Sequence, residues 1–331
     1  MCDSELVETF DLVELNAGKN LDELRNALKE VGFIQVKNHG FDPTLLRQYF
    51  IESKSFFNNP KELKENYKYK STNNSGWLEI GTETLNRNDK SKEFKEAINF
   101  NVDELPLEFP DGFNQSTVTR FIDECRKVCQ QILRAYAASL QIDTVAGGID
   151  FFTNCHQPHL PSASILRSLY YPAINLNNKT DLIRAGGHSD FGSITLLFTE
   201  PNDPGGLEIV KPGTVDTFVP VKSVESQIIV NTGDLLEYWT GSYFRSTIHR
   251  VVLPEVSKQN QSRYSIAFFL QAESKTPLSV IPSQILRESN VCLQSRESKA
   301  FEDFAASKIN GVPATANEHL QLRLNHIHQN S

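Results

Sequence analysis

The sequence predicts a mixed α/β (α+β) fold: an antiparallel sandwich or jelly roll in the second half, with helices packed around it. Three observations carry this prediction. After about residue 160, short β-rich runs alternate with Gly, Pro, Asn and Asp punctuation. Before it, helical and extended patterns alternate and end in one long amphipathic stretch. The 331 residues are 39% hydrophobic and 22% charged, which is enough apolar material for one large core.

The elements follow in order. Phe10 to Leu15 reads as a short strand. Asn20 is placed to cap a helix carrying Leu21, Leu24, Leu28 and Val31, which Gly32 stops. Phe33 to Val36 is a strand, and Asn38-His39-Gly40 a turn. A second helix runs from Pro43 to Asn58, and Pro60 opens a short third one. Residues 69 to 92 are polar, with a loop at Asn73-Asn74-Ser75-Gly76. Gln115 to Leu140 is the long helix, with Phe121, Cys125, Val128, Ile132, Tyr136 and Leu140 on one side. The strand candidates are Ser164–Tyr171, Ser193–Phe198, Leu207–Val210, Phe218–Val221, Gln227–Val230, Phe244–Leu253 and Arg263–Leu270. Ser257 to Ser262 reads as an exposed hairpin loop, and Ser298 to Asn325 returns to helix. The expected division is an N-terminal helix/strand region at 1–120 and a long support helix with its connection at 121–160. The β core follows at 161–275 and a C-terminal helical region at 276–331.

Composition excludes several roles. Lys plus Arg is 33 and Asp plus Glu is 41, a formal net charge of −8. That balance argues against a nucleic-acid polymer as partner. No apolar run approaches the roughly 20 residues that span a bilayer. The first residues lack the basic and apolar regions of a secretory signal, and the last four match no retention signal. Five cysteines, an odd number without a Cys-x-x-Cys pair, read as reduced thiols in a cytoplasmic protein. Cys125 and Cys129 share one helical face. A monomer or weak homodimer is expected.

One segment carries chemistry: Arg184-Ala-Gly-Gly-His188-Ser-Asp190-Phe-Gly-Ser. A His and an Asp two apart on an extended chain point to one face. His249, in Ser-Thr-Ile-His249-Arg-Val-Val, offers a third ligand in the spacing His188-x-Asp190-x58-His249. Two imidazoles and one carboxylate on one side of an ion leave the opposite positions open, the mark of non-haem Fe(II) oxygenases. Fourteen residues beyond His249, Arg263 and Ser265 alternate onto one face of a strand. A guanidinium beside a hydroxyl suits a small carboxylate in a closed site. By itself, Arg263 could equally serve a structural carboxylate.

At this point the chain resembles the isopenicillin-N-synthase-like branch of the Fe(II)- and 2-oxoglutarate-dependent dioxygenases, over nearly its whole length. Gly32-Phe33-Ile34-Gln35-Val36-Lys37-Asn38-His39-Gly40 matches the family's Gly-Phe-x-x-Val-x-Asn-His-Gly block. Phe56-Phe57 with Pro60-Lys61-Glu62-Leu63-Lys64, Lys92-Glu93-Phe94 and Leu166-Arg167 with Tyr171-Pro172 follow. His188-Ser189-Asp190, Gly205-Gly206-Leu207, Asn231-Thr232-Gly233-Asp234, Ser246 to Val251 and Arg263-Tyr264-Ser265 complete the order.

The resemblance implies a double-stranded β-helix (jelly-roll, cupin-like) core with flanking helices. It implies His188, Asp190 and His249 as Fe(II) ligands, and Arg263, Ser265 and Tyr171 as contacts to the co-substrate 2-oxoglutarate. It implies use of O2, with decarboxylation of 2-oxoglutarate to succinate and CO2 and oxidation, most simply hydroxylation, of a small-molecule metabolite. Many relatives carry Asn where Leu169 stands, so one polar contact is absent here. Two alternatives stay open: an isopenicillin-synthase-type Fe(II) oxidase that uses no 2-oxoglutarate, and a catalytically silent jelly-roll binding protein.

Strand parity and proximity nominate Arg184, Phe191, Asn231, Trp239 and Phe269 as substrate contacts, with Trp239 in a loop before the strand of His249. Together they suit a planar or partly apolar molecule with polar edges. His39 belongs to a structural turn. His156, His159, His319, His326 and His328 show no partner pattern and read as surface residues. Gly205-Gly206 is a turn, lacking the strand–helix context of a phosphate loop.

Overall fold

A computed structural model describes residues 6–83, 93–174, 184–289 and 315–328. Cys2, Cys292, Lys92, residues 298–314 and the side chains of His326 and His328 lie outside the described residues. Among the described residues the strands are β1 Glu8–Asp11, β2 Phe33–Lys37, β3 Gly76–Leu78, β4 Glu96–Asn101, β5 Ile165–Tyr171 and β6 Ala185–His188, then β7 Ile194–Thr199, β8 Leu207–Val210, β9 Phe218–Pro220, β10 Ile228–Thr232, β11 His249–Val251 and β12 Arg263–Leu270. They form an eight-stranded sheet in the order β1-β2-β10-β7-β12-β5-β4-β3 and a four-stranded sheet, β6-β11-β8-β9. Apart from the parallel β1–β2 pair, the ladders are antiparallel. This is the jelly-roll architecture with flanking helices.

Period-2 alternation sorts the large sheet's side chains into two layers. Ile194, Leu196, Phe198, Ile266 and Phe268 face outward into the main core, where helix Gln115–Ser139 packs with Phe121, Cys125, Val128 and Ile132. Phe121 meets Phe198 edge-on at 5.3 Å. The opposite parity points inward: Phe33, Ala97, Leu169, Tyr171, Ile229 and Ala267 join Ala185, Leu207, Ile209 and Val251 of the small sheet. Leu169 lies in this inner layer, so an apolar contact stands where many relatives have an amide. Cys125 and Cys129 are buried free thiols on the core side of the long helix.

Several local expectations are revised. Phe10–Leu15 is not one strand: β1 ends at Asp11, whose carboxylate caps helix Leu12–Asn16 by accepting from the Val13 and Glu14 amides. Only His249–Val251 of the run 244–253 is strand. The residues before it bond to the N-terminal region instead, with Arg245 N donating to Leu28 O and Thr247 Oγ1 to Val31 O. Trp239 is in helix Asp234–Trp239, not a loop. His156 and His319 are buried, not surface residues. His156 sits between Phe152 O and Ser193 Oγ, both at 2.7 Å from its ring nitrogens. Ser193, one of the two partners that satisfy it, lies 37 residues away, so local sequence did not show its burial.

Candidate metal and co-substrate site

His188 ends β6 and His249 begins β11, and the two are direct cross-strand partners. Asp190 lies just beyond β6 in the same turn. The ligand atoms these three residues offer lie within 4.8 Å of one another. Asp190 Oδ1 is 3.9 Å from His188 Nε2 and 3.7 Å from His249 Nε2. Each ring is oriented by its other nitrogen: His188 Nδ1 is 2.8 Å from Gly186 O, and His249 Nδ1 is 3.1 Å from Thr247 O. A carbonyl only accepts, so each Nδ1 carries the proton and each Nε2 keeps its lone pair toward the centre. Phe33 braces the His249 ring edge-on at 5.3 Å.

Asp190 is held from behind. Its Oδ2 accepts from Thr195 Oγ1 at 2.6 Å and from Asn231 Nδ2 at 2.7 Å. Thr195 and Asn231 are cross-strand partners whose side chains both face inward. Burial alone would raise the Asp190 carboxyl, but His249 and His188, with these two hydrogen bonds, hold it below the usual range. Burial, then His249, pushes the His188 imidazole well below its ordinary value. A charged carboxylate with two neutral imidazoles fits a divalent cation that prefers mixed N and O donors. Asn231, nominated as a substrate contact from its place just past a predicted strand, thus lies within β10 and touches a candidate ligand. Thr195 was missed, although strand alternation places it inward.

The inner face of β12 carries Arg263, Ser265, Ala267 and Phe269. Arg263 pairs with Tyr171 and Ser265 with Leu169 across the ladder. Arg263 and Ser265 are almost fully buried, and their Nη1 and Oγ lie 3.4 Å apart. The guanidinium lies 5.1 Å from the Tyr171 ring centre. Its Nε donates to Asp203 Oδ1 at 2.9 Å. Asp203 sits in the turn after β7, where sequence shows only turn residues.

Arg184 is wholly buried beside this group, 5.7 Å from the Tyr171 ring centre, so it lies with the Arg263 cluster. Phe269 faces the inner layer. Phe191 is half-buried against the Arg323 guanidinium. Trp239 is a core residue: its indole donates to Ser279 O, and its ring packs on Phe151 and Phe152. A buried ionic network also lines this face. Lys95 contacts Glu93 and Glu83, Arg167 contacts Glu83, and Glu93 Oε1 accepts from the Gly186 amide at 2.8 Å. His39 stays in its turn, against Ser226 O and the Phe41 amide.

Comparison with known proteins gives this geometry its class. Residues 7–121 match the model of the non-haem dioxygenase in morphine synthesis N-terminal region, and residues 162–272 that of the 2OG-Fe(II) oxygenase superfamily. The 2-oxoglutarate-Fe(II) type oxidoreductase ppzD of Metarhizium majus is 32% identical over 303 residues, covering 80% of this chain and 83% of its own. Proline hydroxylase buaE of Petromyces alliaceus is 31% identical over 299 residues, covering 85% and 90%. A Neurospora crassa protein, crystallised at full length in complex with alpha-KG and thymine, superposes with a TM-score of 0.77 at 25% identity, covering 99% of both chains. The chain belongs to the 2-oxoglutarate–Fe(II) oxygenase superfamily. It is a 2-oxoglutarate- and Fe(II)-dependent dioxygenase that uses O2 and acts on a small molecule. Among the described residues no helix is long and apolar enough to cross a membrane.

Proposed function

We propose that His188, Asp190 and His249 hold the iron, and that Arg263, Ser265 and Tyr171 receive the distal carboxylate of 2-oxoglutarate. The convergence of two Nε2 atoms and one carboxylate oxygen on a single point carries this reading. Bound Fe(II) supplies the activation of O2 that couples decarboxylation of 2-oxoglutarate to substrate oxidation. The chain's own residues bind, orient and exclude water. Asn231 and Thr195 fix the Asp190 carboxylate, and Gly186 O and Thr247 O fix the two rings. The inner apolar layer dries the site around them.

For the substrate we infer a planar or partly apolar small molecule with polar edges, lying between Phe269 and the Arg167–Glu83 and Lys95–Glu93 pairs. The inward parity of Phe269 and Arg167 supports it, as does the thymine complex of the Neurospora relative. Phe191 borders this space, while Arg184 belongs to the co-substrate end. The free buried thiols support a cytoplasmic setting. Sedimentation tests the expected monomer or weak homodimer.

The test is succinate release from Fe(II) and 2-oxoglutarate, with and without candidate metabolites. His188→Ala is expected to abolish metal binding and turnover together. Full activity in that variant would remove the ligand assignment. Arg263→Leu is expected to raise the 2-oxoglutarate requirement sharply. An unchanged requirement would instead favour an oxidase in which Arg263 holds a substrate carboxylate. A panel of small metabolites, screened by thermal shift on the metal-loaded anaerobic protein, tests the substrate class.

A further inference from the structure

Arg184 is a buried side chain whose unmet hydrogen-bonding positions the reading above does not explain. It is 0% exposed. Its backbone N donates to Val251 O at 3.1 Å, which fixes the start of β6. One side-chain nitrogen, Nη2, reaches Pro172 O at 3.3 Å. Among the described residues, neither Nε nor Nη1 has a hydrogen-bond partner. A guanidinium buried with two donor positions unused is costly to the folded protein. Burial and then Arg263 push its pKa down to about 10, against a smaller opposing pull from Asp203, which still leaves it a cation at neutral pH.

Both arginines lie against one aromatic ring, with guanidinium carbons 5.7 Å and 5.1 Å from the Tyr171 centre. The carboxylate beside them, Asp203, is already used. Its Oδ1 takes the Arg263 Nε proton, and its Oδ2 accepts from Ser223 Oγ at 3.1 Å. With Asp203 in place, Arg263 alone is a neutral ion pair and presents an incoming anion with donors but no net positive charge. With Arg184 added, the group carries two positive charges and one negative. The balance closes when one further carboxylate enters.

We propose that Arg184 is a second cationic anchor for the distal carboxylate of 2-oxoglutarate, which is held between the Arg184 and Arg263 guanidiniums over the Tyr171 ring. The inference rests on the reading that Arg263, Ser265 and Tyr171 form the co-substrate clamp. In this arrangement Asp203 orients Arg263 through Nε, so that its Nη edge faces Ser265 and the anion. Arg184 supplies the net charge that Asp203 would otherwise cancel. Arg184 is then kept despite its cost to the ligand-free fold, because the anion is its partner.

The test uses the full chain loaded with Mn(II) in place of iron. Binding of 2-oxoglutarate and of 2-oxopentanoate, which has the same chelating end but no distal carboxylate, is measured by calorimetry. The proteins are wild type, Arg184→Met and Arg263→Met. Loss of a charge-assisted contact predicts that Arg184→Met binds 2-oxoglutarate at least about tenfold more weakly. Its affinity for 2-oxopentanoate should stay within about twofold of wild type, and its Tm without co-substrate should match or exceed wild type. Wild-type affinity for 2-oxoglutarate in Arg184→Met, when Arg263→Met has lost it, would overturn the role of Arg184 and leave the clamp standing. Wild-type affinity in both variants would remove the clamp and Arg184 together. Equal losses for the two oxoacids, with a lower Tm, would make Arg184 a purely structural residue. Should the Met variant fail to fold, Arg184→Lys decides: it keeps the charge without the fork, and a loss confined to 2-oxoglutarate supports the anchor. Equal weakening of both oxoacids in that variant overturns it.

Discussion

Replacing Asn231 with Leu separates a residue that holds the proposed metal ligand Asp190 from one that touches substrate. The Asn231 amide donates to Asp190 Oδ2 at 2.7 Å, and both groups are buried. A hydrogen bond to a buried carboxylate contributes about 1.5–3 kcal/mol, and its loss leaves that oxygen with Thr195 alone. Leu keeps the approximate volume but cannot donate, so the Asp190 carboxyl loses one of the groups that hold its pKa down. The predicted consequence is a fall of roughly 10- to 100-fold in divalent-metal affinity. An anaerobic Fe(II) titration, with Mn(II) as a spectroscopic substitute, reads this directly. At saturating metal the variant should recover most of its turnover with an unchanged substrate KM. Metal affinity within about twofold of wild type, combined with a raised substrate KM, would refute the reasoning and return Asn231 to the substrate pocket. Thr195→Val provides the second arm: the two losses should be non-additive, because both donors act on one oxygen.

The remaining predictions concern the frame around the site. Gly32→Ala should destabilise by roughly 2–4 kcal/mol in urea unfolding, because Gly32 has φ +70° and a Cβ there would lie 1.9 Å from Arg245 O; a change below about 1 kcal/mol contradicts the geometry. Burial, partly offset by Phe152 O, lowers the His156 pKa from 6.5 to about 4. Its stabilising contribution is therefore complete above about pH 6.5 and is lost as pH falls toward about 4, about 2 kcal/mol of it by about pH 5. His156→Gln should lose correspondingly less stability than wild type between about pH 7.5 and about pH 5, and an equal loss would exclude His156 as the source. Arg323, half-buried, pairs with the buried Asp234 carboxylate at 2.5 Å and donates to Ser189 Oγ, so Arg323→Met, which leaves that carboxylate without its cation, should cost about 3 kcal/mol. Asp234→Asn on that background should recover part of the loss, and no recovery would place the effect elsewhere.

Much of the candidate site's geometry was legible because it follows strand periodicity and short spacing. His188-x-Asp190 and Arg263-x-Ser265 are each two residues apart on extended chain, so the local pattern already sets a shared direction. The β12 span, Arg263–Leu270, also follows from alternation alone. What sequence did not show depends on partners far along the chain. β6 contains two glycines and little strand propensity; it is a strand because β11 pairs with it. β3 and β4 lie in or near polar sequence, yet Glu96 is buried because Lys64 and the Trp77 indole satisfy it. Asp203 became visible only when the turn after β7 met Arg263, 60 residues later. Trp239 looked available because aromatic composition does not say which wall a ring will pack against.

Two separately recognised stretches of chain meet at the candidate metal centre, and the junction explains why they occur together. The first hundred or so residues contribute β1, β2, β3 and β4, half of the eight-stranded sheet. They approach the second stretch closely at Gly32. Its carbonyl accepts from the Thr232 amide at 3.0 Å, and its lack of a Cβ lets Arg245 O approach. One residue earlier, Val31 O receives the Thr247 hydroxyl at 2.7 Å; one residue later, Phe33 packs its ring on His249. Thr247 O is the group that orients His249 Nδ1. The Val31–Phe33 stretch therefore acts on the third candidate metal ligand through two routes: the Val31–Thr247 hydrogen bond just before it, and the Phe33 ring against its side chain. Jelly-roll strands alone bring His188 opposite His249, but the direction of the His249 ring depends on residues more than two hundred positions earlier. That dependence makes the N-terminal region part of the site's geometry as well as cover for its core.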